Sequence, residues 1–93
     1  MTGCVGAVGV AIVSNGLLFT KLLKVKKGLK ALGGTTEAVK KIKKKYDHYR
    51  WNGFDRKKSL NKAVDDVSDT LGKDVKDALL DFFNISNVIA NCT

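Results

Sequence analysis

"LLFTKLLKVKKGLKALGGTTEAVKKIKKKYDHYRWNGF", residues 17–54, carries the pattern that decides the fold. Leu18, Leu22, Val25, Leu29 and Leu32 follow spacings of four, three, four and three, the apolar seam of one helix. Lys21, Lys24, Lys26, Lys27 and Lys30 occupy most of the remaining surface. Gly33-Gly34 predicts a stop, with lysine in the last turns, where the carbonyl end of the helix dipole favours cations. Thr35 or Thr36 is expected to cap a second helix, with Glu37 in its first turn. That helix places Val39, Ile42, Tyr46 and Tyr49 on one face and Lys40, Lys41, Lys43, Lys44 and Lys45 around it. Five lysines in six positions repel one another, so the helix requires tertiary packing or an anionic partner. "WNGF", residues 51–54, sets Asn-Gly, a strong turn signal, between two large aromatics.

Downstream, Asp55 or Ser59 is expected to open a helix with Leu60, Val64, Val67 and Leu71 as its apolar stripe. Val75, Leu79, Phe82 and Phe83 continue the stripe, and Gly72 is a candidate kink or division. Six aspartates, from Asp65 to Asp81, populate the other faces. A lysine-rich helix, a turn and an aspartate-rich helix over 59–83 predict an antiparallel hairpin of complementary charge. Exposed ion pairs contribute about 0–1 kcal/mol each, so the apolar stripes must supply most of the folding energy. "NISNVIANCT", residues 84–93, reads as a short strand or an irregular tail.

Upstream, Met1 to Thr20 carry no charged side chain. A secretory signal places its positive charge before the apolar stretch, whereas here the lysines follow it, so these residues are expected to belong to the mature chain. The glycines, Ser14 and Asn15 make a poor permanent anchor. As a helix, Gly3, Ala7, Ala11 and Asn15 form one small stripe, with Val5, Val8 and Ile12 on other faces. Small residues at that spacing allow close helix approach, equally inside a soluble bundle or in a bilayer.

Ninety-three residues, 44% hydrophobic and 28% charged, suit one small globular domain. Within 1–93, an apolar then lysine-rich helical segment (1–34) precedes a helical hairpin and tail (35–93). The expected fold is an all-α bundle of three or four helices with no proline to interrupt them. The net charge of +8 is uneven: Lys21 to Arg50 hold eleven basic residues against Glu37 and Asp47. Such asymmetry points to an anionic partner. Cys4 and Cys92 stand near the two ends, and a disulfide between them would restrict the unfolded chain by about 4–5 kcal/mol. That bond implies an oxidising compartment, and two acceptor triplets, Asn84-Ile85-Ser86 and Asn91-Cys92-Thr93, fit secretion. Two buried thiols in a cytosolic protein are the alternative.

Catalysis is not expected. His48, the single histidine, lies between Asp47 and Tyr49 with no nucleophile-and-base set around it. Neither a zinc site nor a phosphate loop has the necessary spacing, so no metal or cofactor is expected. "KKIKKKYDHYRW" interleaves lysine with rings, the ingredients of nucleic-acid binding. Arginine, the bidentate reader of bases and phosphates, appears only as Arg50 and Arg56. A membrane reading accounts for more of the sequence. Val5, Val8, Ile12, Leu17, Leu18 and Phe19 would insert, and Lys21, Lys24, Lys26, Lys27, Lys30, Lys40, Lys41, Lys43, Lys44 and Lys45 would bind an anionic surface.

"GAVGVAIVSNGLLFTKLLKVKKGLK", residues 6–30, a small-residue apolar helix running into a lysine-rich amphipathic one, resembles parts of secreted membrane-active toxins, the bacteriocins and yeast killer toxins. The resemblance covers the first third of the chain and implies membrane permeabilisation. The apolar, glycine-rich start also resembles viral fusion segments, from which the dense lysines depart. The expected function is a secreted cationic toxin or antimicrobial protein, with self-association of its small stripe. A small nucleic-acid-binding protein and a helical protein-interaction domain, with a missing partner chain, are the alternatives.

Overall fold

A computed structural model describes Gly6, residues 19–86, Val88 and Ile89. It contains helices α1 (Phe19–Ala31), α2 (Thr35–Trp51), α3 (Arg56–Val67) and α4 (Lys73–Ser86). The chain is all-α, and there is no strand among the described residues. The predicted seams are the buried faces. Val25, Leu29 and Leu32 of the first segment meet Val75, Leu79, Phe82 and Phe83 of the last. Val39, Ile42 and Tyr46 of α2 join Leu60 and Val64 of α3 in the same core. Each large side chain so enclosed contributes about 1.5–3 kcal/mol relative to exposure. α2 packs along α3, α1 along α4, and α3 and α4 close the bundle between them. The radius of gyration, 11.9 Å, matches the value of about 12 Å for a compact chain of this length.

Two chain reversals use the same device. After α1, the Gly34 N–H bonds to the Leu29 carbonyl at 2.9 Å and the Gly33 N–H to Lys30 at 3.1 Å. After α2, the Phe54 N–H bonds to Tyr49 and the Gly53 N–H to Arg50, both at 3.1 Å. Gly33 and Gly53 hold φ at 101° and 93°, a conformation open to glycine at little steric cost. Gly28 has a different task. A Cβ there would lie 2.8 Å from Leu79 Cδ1, so glycine sets how closely α1 approaches α4.

Four expectations change or sharpen. The helix expected over 59–83 is two helices, because α3 ends at Val67 and α4 begins at Lys73. Buried Ser68 turns its hydroxyl back onto the Val64 carbonyl, and Gly72 follows before the next helix. Gly34, not a threonine, occupies the cap position of α2, and no side chain caps that helix. Asp55 does cap α3, its carboxylate accepting the Lys58 N–H at 2.7 Å. Asn84 to Ser86 finish α4 rather than a strand, and Val88 and Ile89 fold into the core beyond it. Val5, Val8, Ile12, Leu17, Leu18, Cys4 and Cys92 lie outside the described residues, and Phe19 opens α1.

Candidate anionic-surface site

The turn after α2 sorts its two flanking aromatics. The backbone reversal at Gly53 folds Phe54 against Tyr49, edge to face at 5.6 Å. The Lys62 ammonium stands 5.0 Å from the Phe54 ring centre. Trp51, one residue before the turn, is left 90% exposed, while Phe54 is half-buried. An indole so fully in water is costly for a side chain of this size, and its neighbours are cations. Arg50, Arg56, Lys57 and Lys58, close to it in sequence, are all exposed.

Residues 40–58 hold nine basic side chains against Asp47 and Asp55. Both acids are committed: Asp47 pairs with Lys43 four residues away, and Asp55 caps α3. The segment therefore carries nearly the whole net charge of the molecule. Residues 59–93 invert the balance, with three basic residues against six aspartates.

The predicted cationic residues divide in consequence. Lys21 pairs with Asp81, and Lys24 with Asp74 at 3.6 Å, so these two lysines stitch α1 to α4. Lys43 is bound to Asp47 and lies 5.4 Å from the Tyr46 ring centre. Lys26, Lys27, Lys30, Lys40, Lys41, Lys44 and Lys45 are exposed and have no acidic partner among the described residues. The rings interleaved with lysine divide as well. Tyr46 belongs to the core, and half-buried Tyr49 donates its hydroxyl proton to Asp66. That hydrogen bond, with partial burial and the charges of Asp66 and Asp65, holds the Tyr49 phenol above its ordinary value.

One feature was not read from the sequence. A groove of about 550 Å³ opens where the ends of α1 and α3 converge on the middle of α2. Leu32 and Val67 floor it, and Lys41, Lys44, Lys45 and His48 edge it. The spacing of three, one and three along α2 puts those four on one face, a signal present in the sequence. Its apolar floor comes from residues far away in the chain. Among the described residues no group of three potential ligands could hold a metal ion.

No family model, curated protein or solved structure matches this chain.

Proposed function

We propose that this chain is a secreted cationic protein of the toxin or antimicrobial kind, which docks on anionic membranes and permeabilises them. The observation that carries this reading is Trp51, 90% exposed at the apex of the most basic segment. Lysine and arginine beside an anionic leaflet contribute about 1 kcal/mol each, and the indole suits the headgroup layer. Docking would then use α2 and its following turn, with the uncharged residues 5–19 as the inserting part. No helix of the described residues is long and apolar enough to cross a membrane, so insertion is assigned to that segment alone. The aromatic side chains favour lipid over nucleic acid. A sequence-tolerant stacking platform uses several free rings, whereas Tyr46 is buried and Tyr49 is engaged with Asp66.

Trp51 is the single tryptophan, so its fluorescence reports the docking site without a label. Vesicles rich in phosphatidylglycerol should shift its emission to the blue and release entrapped dye, and neutral vesicles should do neither. Trp51→Ala should abolish most of the dye release while leaving the helical circular dichroism intact. Tight, salt-dependent binding to RNA or DNA without any vesicle binding would overturn the proposal. A Cys4–Cys92 bond belongs to the same reading. The native mass should rise by two hydrogens on reduction, and free thiols in secreted material would remove that part.

A further inference from the structure

The groove between α2 and the ends of α1 and α3 combines an apolar floor with a cationic rim, and the tip at Trp51 does not use it. Its volume of about 550 Å³ falls inside the range of roughly 300–1,000 Å³ occupied by small-molecule sites. Lys41 gives one proton to the Leu32 carbonyl at 3.1 Å, which fixes its stem across the floor. Lys44 and Lys45 carry no acidic partner among the described residues, and both are exposed at the rim. Of the acids next to lining residues, Asp47 is paired with Lys43 and Asp66 accepts from Tyr49, while exposed Asp69 stands 4.0 Å from Lys76. A ligand complementary to this surface has a negative head and a short apolar body.

We infer that the groove is a binding site for one anionic phospholipid, its phosphate held by Lys44, Lys45 and His48 and its first acyl carbons over Leu32 and Val67. Charge-assisted hydrogen bonds from ammonium groups are the natural partners of a phosphate oxygen. The lysine stems extend the apolar floor, so head and chain are recognised together. The choice of a lipid rests on the membrane reading above. It adds a stoichiometric site to what would otherwise be diffuse attraction. A phosphate without an acyl chain would leave the half-buried Val67 and the exposed Ala31 uncovered, and a fatty chain without charge would leave the lysines unmatched.

The test is an amide chemical-shift titration of the full chain with dihexanoyl phosphatidylglycerol, kept monomeric, beside inorganic phosphate and dihexanoyl phosphatidylcholine. The anionic lipid should shift residues near Leu32, Lys44, His48 and Val67 saturably, and the two controls should not. Thr70 and Ala31 are exposed on the groove wall, so Thr70→Trp and Ala31→Asp can block it without touching the core. Each should weaken the lipid by about tenfold or more. Equal shifts from inorganic phosphate, shifts confined to Trp51, or full affinity in both variants would each overturn the site. Vesicle flotation of the unaltered chain is read separately. Flotation without groove shifts sinks the groove alone, and no flotation sinks the membrane reading.

Discussion

At Gly28 an added Cβ would meet Leu79 Cδ1 at 2.8 Å, Val75 Cγ1 at 2.9 Å and Leu79 Cγ at 3.1 Å. Leu79 is fully buried and Val75 nearly so, which leaves neither free to swing aside. Gly28→Val should therefore cost about 1–3 kcal/mol in urea unfolding, despite removing a helix-disfavouring glycine. An unchanged midpoint would show that α1 and α4 are not in close contact. Tyr49 makes a second prediction at this scale. Its phenol is held above the ordinary 10.0 by the hydrogen bond to Asp66, and Lys76 is held above 10.5 chiefly by the one to Asp65. Both groups keep their protons longer folded than unfolded. Their stabilising contribution is thus complete below the ordinary values and drains away as pH rises through the folded ones. Melting temperatures followed by circular dichroism should fall on titration above pH 10, and less steeply in Tyr49→Phe.

Among the elements, α2 is held by its partners rather than by itself. Lys40, Lys41, Lys44 and Lys45 face solvent and form no ion pair among the described residues, and the helix has no side-chain cap. A peptide of residues 35–51 should be largely unfolded in dilute buffer and become helical on anionic vesicles. The whole chain should melt higher in about 500 mM than in about 20 mM salt, because screening relieves this repulsion. A flat or falling trend would mean that the ion pairs of α1 and α4 outweigh it. The helices themselves were legible in the sequence, since Val25, Leu29, Val39, Ile42, Leu60, Val64, Leu79 and Phe82 recur at helical spacing and are the core. The break after Val67 was only hinted at by Gly72, because the stripe runs in phase across it. Likewise, "WNGF" announced a turn but not which aromatic it would leave outside. That depends on Phe54 finding Tyr49 and Lys62, contacts that exist only once α3 lies along α2. The floor of the groove was illegible for the same reason, being assembled from Leu32 just after α1 and Val67 at the end of α3.

At the scale of the whole molecule, the segregation of charge should matter more than its total. The shortest dimension is 22 Å, well beyond a Debye length of about 8 Å at physiological salt. Charges on α4 should therefore be almost invisible to a membrane touched by α2. Asp77→Lys and Lys44→Glu each change the net charge by the same amount in opposite directions. Only Lys44→Glu should alter vesicle affinity strongly, and comparable effects from both would contradict a fixed docking face. The same polarity governs what a coated membrane shows to the solution. Molecules seated on the lysines of α2 would turn the aspartates of α4 outwards. Such a coat would mask the negative lipid without replacing it by a positive skin. The electrophoretic mobility of saturated vesicles should then stall near neutrality, short of the reversal that +8 per molecule would otherwise bring.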